Sequence, residues 1–355
     1  MNLTALGVTP LVARLLAARG WSEGAAVVEF LYPRLEQTHS PWLLQGMEAA
    51  VTRTLQAVAA SETILILGDY DADGTLATVI LRQALGSLGA KVRYQLPERL
   101  GGGYGLQPET MERAAAAGVG LAITVDNGIR EHAALERARE LGLDVIVTDH
   151  HLPAASLPPA LAILNPHQPG CTYPDKGLCG SGVAFKLAQA LLERSGKLER
   201  ESDREKGPGW GPTLRSYLKL VAIATVADAA PLLGENRVFT RFGLEGLRQP
   251  VNPGLRALLG LALPPGRSEV TSRDLAFGIA PRLNAAGRMG AADRAVELFF
   301  APAGEAAAAA LALEQANRER KRCCEAIMAE IARLGAATVD SSGGVQVFAG
   351  AGWHR

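Results

Sequence analysis

Apolar and polar positions in this chain change period along its length. From residue 61 to about 165, short apolar runs alternate with segments of helical spacing, which predicts strand and helix in repeated succession. Ile64 to Leu67 is a compact apolar run bounded by Gly68, as expected of a buried parallel strand. Leu76 to Leu88 has the spacing of a helix that packs back on a sheet. Lys91 to Leu96 alternates, with Val92, Tyr94 and Leu96 on one side, and Pro108 to Ala117 predicts another helix. Leu121 to Val125 and Leu143 to Thr148 are two more apolar runs. The fold class predicted is α/β, a parallel sheet flanked by helices.

The flanks read differently. Pro10–Arg19, Ala25–Leu31 and Met47–Ala59 predict three helices without visible chemistry, a helical N-terminal cap over residues 1–60. The α/β domain follows over 61–303, with helices expected at Gly180–Leu192, Leu218–Val226 and Gly234–Leu247. Residues 195–213 are polar and charged, as in a solvated insertion loop. Glu305 to Leu334 predicts one long alanine-rich helix, a connector over 304–336. Gly344 to Ala349 predicts the first strand of a second domain over 337–355.

Three of the apolar runs end in acids. Ile64–Leu67 leads into Asp69, Asp71 and Asp73; Leu121–Val125 into Asp126; Leu143–Thr148 into Asp149, His150 and His151. Parallel strands bring their C-terminal ends to one edge, where open α/β sheets place their ligands. Acids crowded there repel one another unless a cation sits among them, so a divalent cation or two is the economical reading. The plain alternative, a solvated acidic loop capping a helix, accounts for one such stretch but not for three converging ones. Asp228 is a further acid in an apolar segment, and burial would demand a cation or hydrogen-bond donors for it. Pro281-Arg-Leu-Asn-Ala-Ala-Gly-Arg-Met-Gly290 sets Arg282, Asn284 and Arg288 among small residues, suited to a phosphate or to ion pairing with the acids. The glycine-rich loop Pro97–Gly105 carries one arginine, Arg99, which either contacts a phosphate or rides a flexible connection. Gly182 and Lys186 suit a phosphate at a helix start, although close helix packing explains the glycine equally well. Arg318 to Arg322 is a basic run, but Glu314, Glu319 and Glu325 make it a solvated face.

Composition narrows this little. Lysine plus arginine equals aspartate plus glutamate at 36 each, so any contact with nucleic acid must come from local patches. Cys171, Cys179, Cys323 and Cys324 form neither a CxxC pair nor a secretory framework, and read as reduced thiols of a cytoplasmic protein. Arg14 and Arg19 interrupt the only apolar N-terminal stretch, and no run has membrane-spanning length; no membrane partner is expected.

Taken together, Gly68–Gly74, Val125–Ile129, Thr148–His151, Gly180–Lys186, Ala224–Asp228 and Pro281–Met289 resemble, in order, the motifs of the DHH phosphoesterase family. Within it the chain is most similar to the RecJ-type single-strand-specific exonucleases, and the resemblance runs over essentially all 355 residues. It implies a 5′-to-3′ exonuclease on single-stranded DNA, acting in DNA repair and recombination with two Mn²⁺ or Mg²⁺ ions. A single-strand-binding protein and a helicase are the partners it implies. By the resemblance, Asp69, Asp71, Asp73, Asp126, His150 and Asp228 are metal ligands, with Asp126 bridging the ions. Asp149 would orient the imidazoles, and His151 would stabilise charge or protonate the leaving oxygen. Arg99, Arg282, Asn284 and Arg288 would hold substrate. An oxygen-rich set with an imidazole suits Mn²⁺, and the thiolates of a structural zinc site are missing from it. Leu67 stands where some relatives carry histidine, which leaves Asp69 to ligate alone. The end at Gly352–Arg355 resembles a cut within a motif that opens the DHH-associated domain, with an OB fold expected beyond it. Two other readings remain: an oligonucleotide or cyclic-dinucleotide phosphodiesterase of the same family, and a catalytically silent DNA-binding scaffold.

Overall fold

A computed structural model describes residues 7–21, 24–97, 105–198, 210–264, 266–267, 269–338, 346–350 and 352–353. Its centre is a sheet of five parallel strands: β1 (Thr63–Leu67), β2 (Lys91–Gln95), β3 (Val119–Val125), β4 (Asp144–Thr148) and β5 (Ala162–Leu164). The strand order is β2-β1-β3-β4-β5. The direction of winding reverses between β1 and β3, and the crevice outside that junction is where such sheets bind ligands.

Strands β1, β3 and β4 are apolar on both faces because helices cover both. Ile64, Ile66, Ile123 and Ile146 join a large core with α3 (Met47–Ala59), α4 (Ala72–Ser87), α7 (Gly180–Arg194) and α8 (Pro212–Ala227). Leu65, Leu67, Val145 and Val147 face the other way, onto Met111 and Ala114 of α5 (Pro108–Ala116) and Ala134, Leu135 and Ala138 of α6 (His132–Glu140). This alternation turns each four-residue apolar run into a strand buried on two sides. The helix α4 has no exposed face over Ala72–Leu81, where even Asp73, Thr75 and Thr78 are buried.

The N-terminal region divides. Leu16 of α1 (Pro10–Ala18) and Val27 of α2 (Ala25–Leu31) form a small cluster of their own, whereas Met47, Ala50, Val51 and Ala57 of α3 belong to the main core. After α8 come α9 (Gly234–Gly246), α10 (Pro253–Ala262), the short α11 (Ser272–Asp274), a π-turn at Leu275–Ile279, α12 (Ala280–Arg288) and α13 (Asp293–Leu298). The final helix, α14 (Ala306–Thr338), buries Ala306, Ala310 and Leu313 against the body and extends beyond it.

Two expectations are corrected. Residues 346–350 form no strand, against the strand predicted over Gly344 to Ala349, whose first two positions lie outside the described residues. Trp210 lies in the stretch expected to be solvated, yet it is 6% exposed and packs against Phe185 and Phe239. Burying a large aromatic ring is strongly favourable, whatever the polarity of the sequence around it. No helix among the described residues is long and apolar enough to cross a membrane.

Candidate metal centre

Register carries the acids to one place. Val125 pairs with Thr148 across β3 and β4, and Leu67 with Thr124 across β1 and β3. The residues just past these ends, Asp69, Asp126 and Asp149, therefore stand side by side. The backbone ladder continues into them, with Asp126 N–H donating to Thr148 O at 2.9 Å and Asp149 N–H to Leu164 O at 3.0 Å. Asp126 then turns with φ 62°, a left-handed backbone uncommon for a residue with a side chain. Strain of that kind persists where the surroundings over-determine it, which is typical of functional sites.

Each acid is held separately. Asp71 caps α4, its Oδ1 accepting from Gly74 N–H at 3.0 Å. Asp73, within the first turn, accepts from the backbone N–H groups of Gly180 and Ser181, both at 2.7 Å. The first N–H groups of α7, left without partners by the helix, thus point at a carboxylate. Gly180 has to be glycine, because a Cβ there would fall 2.5 Å from Asp126 Oδ1. This corrects the phosphate reading of that stretch. The helix start serves Asp73, and Lys186 lies fully buried with Glu235 at 2.6 Å.

The ligating atoms fall into overlapping groups within 4.8 Å of one another: Asp69, Asp71 and Asp126; Asp73, His150 and Asp228; Asp126, His150 and His151. His150 Nε2 lies 3.1 Å from Asp126 Oδ1, 3.8 Å from Asp73 and 3.9 Å from Asp228. Asp228 reaches the group from the C-cap of α8. All six residues that the family resemblance named as ligands are therefore brought together.

Electrostatics tests whether they suit a cation. Burial, then the charge of Asp71, pushes Asp69 up to about 6. Burial, then the charge of Asp73, does the same to Asp228, also to about 6. Asp71 and Asp126 are raised for the same two causes, burial first and neighbouring carboxylates second. Asp126 Oδ1 is buried and accepts no hydrogen bond. A buried, unbonded carboxylate oxygen among mutually repelling acids is costly, and a hard divalent cation with oxygen and imidazole ligands removes that cost. The residues fit two such ions.

Asp149 differs from its neighbours. Burial alone would raise it, but bonds from His151 Nδ1 (2.7 Å), Ile129 N–H (2.9 Å) and the backbone N–H groups of His150 and His151 hold it below the usual range. The same contact raises His151, whose ring is half exposed beside the acids. A cavity of about 380 Å³ opens there, lined by Asp69, Asn127, Ile129, Asp149, His151 and Leu152 among others.

The expected substrate residues fare unevenly. Arg99 lies outside the described residues. Arg282 turns away from the acids: its Nε is 2.7 Å from Glu314 on α14, and its other nitrogens bond the carbonyls of Gly278 and Leu261. Asn284 accepts from Ala72 N–H at 2.6 Å, so it braces the acid loop. Arg288 ends α12, half buried. The small residues of that helix have a packing reason, since a Cβ on Gly287 would collide with the Tyr70 carbonyl. Sequence reasoning missed the bracing by Asn284 and the donors at Gly180 and Ser181. The signal for both was present, as small residues at points of close approach.

The sequence matches the DHH family, N-terminal domain, over residues 63–225. It is 40% identical to the single-stranded-DNA-specific exonuclease RecJ of Bacillus subtilis (strain 168), covering 98% of this chain and 42% of that protein. To the enzyme of the same name from Escherichia coli (strain K12) it is 39% identical, covering 92% of this chain and 56% of that one. The chain thus spans about half the length of these relatives. Among solved structures, RecJ in complex with Mn²⁺ from Thermus thermophilus superposes with a TM-score of 0.76 at 34% identity, covering 93% of this chain and 45% of that one. An exonuclease RecJ bound to manganese gives a TM-score of 0.71 at 36% identity, covering 81% and 69%.

Proposed function

We propose, because the chain belongs to the DHH family and within it to the RecJ exonucleases, that it removes nucleotides from the 5′ end of single-stranded DNA with two Mn²⁺ or Mg²⁺ ions. The observation that carries this reading is the pair of three-ligand groups at the β1/β3 junction, joined through Asp126 and His150. Asp69, Asp71 and Asp126 would hold one cation; Asp73, His150 and Asp228 would hold the other. The chemistry such ions would supply there is a lowered pKa for bound water and relief of negative charge on a phosphoryl centre.

The chain's own groups do the rest. Asp149 grips His151 at Nδ1, which fixes the tautomer and leaves Nε2 as the exchanging atom. The Asp149 bond raises the pKa of that ring and so favours its protonated form, which could give a proton to the leaving oxygen or steady its charge. The cavity beside His151 is of the right order to admit part of a nucleotide. Arg99 and Arg288 are the arginines proposed for substrate phosphates; Arg282 and Asn284 are supports. The setting proposed is DNA repair and recombination in the cytoplasm, with a single-strand-binding protein and a helicase as partners.

Degradation of 5′-labelled single-stranded DNA, with Mn²⁺ and with chelator, tests the reading. Mn²⁺-dependent release of labelled mononucleotide is expected, with duplex DNA spared. Ion uptake without cleavage of any single strand would overturn it. His151→Ala is expected to slow cleavage about 10²-fold or more while the Mn²⁺ isotherm stays nearly unchanged. Loss of an ion in that variant would instead make His151 a ligand, as its grouping with Asp126 and His150 allows.

A further inference from the structure

Beyond the turn that holds Asp73, α7 meets the first turn of α9 in the interior. Lys186 Nζ and Glu235 Oε1 are 2.6 Å apart with both side chains 0% exposed. Lys186 also donates to the His39 carbonyl at 2.7 Å. Glu235 Oε1 accepts from His39 N–H at 2.8 Å, and its Oε2 accepts from the Tyr173 hydroxyl. The pair is therefore tied to His39 and Tyr173 as well as to itself. A buried ion pair is seldom more stabilising than apolar side chains of the same volume, and its distinctive property is the geometry it imposes.

That geometry leads to Asp228. The segment from Asp228 to Asn236 connects α8 to α9, and Glu235 lies in the first turn of α9. Its far end is pinned: Glu235 N–H donates to Asp175 Oδ2 at 2.7 Å, and Asn236 Nδ2 donates to the carbonyls of Pro231, at 3.1 Å, and Gly177. Its near end is a tight reversal, with Ala229 at φ 54° and Ala230 N–H bonded to Thr225 O at 3.0 Å. The path from the ion pair to the carboxylate is thus fixed at both ends. The other partner, Lys186, belongs to α7, whose first N–H groups hold Asp73. Asp73 and Asp228, two members of one three-ligand group, are thus both referred to α7. Asp69 and Asp71, of the other group, are held locally instead, by the backbone N–H groups of Tyr70 and Gly74.

We propose that the Lys186–Glu235 pair is a positioning device for Asp228, setting the affinity of the cation held by Asp73, His150 and Asp228 while leaving the other cation's site untouched. The proposal rests on the two-cation reading of the centre. It makes Lys186 and Glu235 positioning residues that touch neither ion nor substrate.

The test is a Mn²⁺ titration by calorimetry of the full chain, the double variant Lys186→Met/Glu235→Gln, and Asp228→Ala. The double variant removes both charges together, so no lone charge is left buried, and the glutamine still offers an acceptor to His39. Wild-type protein is expected to show two binding events, and Asp228→Ala identifies the one that depends on that carboxylate. In the double variant this event is expected to weaken roughly 10–100-fold, the scale for removing a supporting partner of a metal ligand, while the other changes less than about threefold. A merely structural pair would leave both events alone, or weaken both equally, and either result overturns the proposal. Wild-type protein that takes up fewer than two ions overturns the two-cation reading as well, so the two failures are distinct. Should the double variant fail to melt cooperatively, Tyr173→Phe removes one donor to Glu235 and is expected to shift the same event alone, by a smaller factor. An unaltered isotherm there is equally fatal.

Discussion

Asp126→Ala is expected to abolish uptake of both Mn²⁺ ions and all metal-dependent hydrolysis, while the metal-free fold survives. Among the described residues, Asp126 is the carboxylate that groups with Asp69 and Asp71 and also with His150, so its loss takes a ligand from between the two groups. Two-metal hydrolysis fails when either ion is missing, and the loss should reach the limit of detection. Stability moves the other way. Asp126 Oδ1 is buried without a hydrogen bond, and burial, then four neighbouring acids, raises this carboxyl well above its usual range. A charge kept there at such cost contributes nothing to the metal-free fold. Asp126→Asn makes the cleaner comparison, because asparagine tolerates the left-handed backbone at φ 62° better than alanine does. In chelator its melting temperature should equal or exceed that of wild type. Retained Mn²⁺-dependent cleavage in Asp126→Ala would remove the bridging role, and a large drop in chelator melting temperature for Asp126→Asn would make the residue a structural one.

The centre was legible in the sequence for a topological reason. Parallel strands must end at the same edge, so three apolar runs ending in acids imply convergence from the order of residues alone. Strands β1, β3 and β4 were readable because both faces are buried and the runs are continuous. The three residues of β5 are too few to carry a period, and α6 hides because its buried face is only Ala134, Leu135 and Ala138. What sequence could not apportion was the role of charged residues near small ones. Arg282 and Lys186 both suited phosphates by composition, but each is matched to a distant carboxylate, Glu314 and Glu235. Such long-range pairings leave no local periodicity to read.

Melting temperatures should respond to pH in opposite directions with and without Mn²⁺. Asp69 and Asp228 both stand at about 6, against about 3.9 for a free aspartate in the unfolded chain. Between those values the folded protein binds more protons than the unfolded one, so stability falls as pH rises through the window, with the full penalty above pH 6. His151 pushes in the same sense: its pKa is raised, so its contribution is complete below the unfolded value and is lost as pH rises through the folded one. Asp149 is held below its usual range, so its contribution is lost only in stronger acid and does not enter between about pH 5 and 7.5. In chelator, therefore, these groups favour the fold at about pH 5 over about pH 7.5. Mn²⁺ reverses the sign, because each ion must displace protons from the same carboxylates and binds more tightly as pH rises. At about 100 times the dissociation constant, each ion adds about 2.7 kcal/mol. Two ions would then raise the melting temperature of a chain this size by roughly 7 °C. Subtracting the chelator curve from the Mn²⁺ curve at each pH cancels the rest of the protein's titration. That difference should be several-fold larger at about pH 7.5 than at about pH 5, and an increment that ignores pH would take Asp69 and Asp228 out of the metal centre.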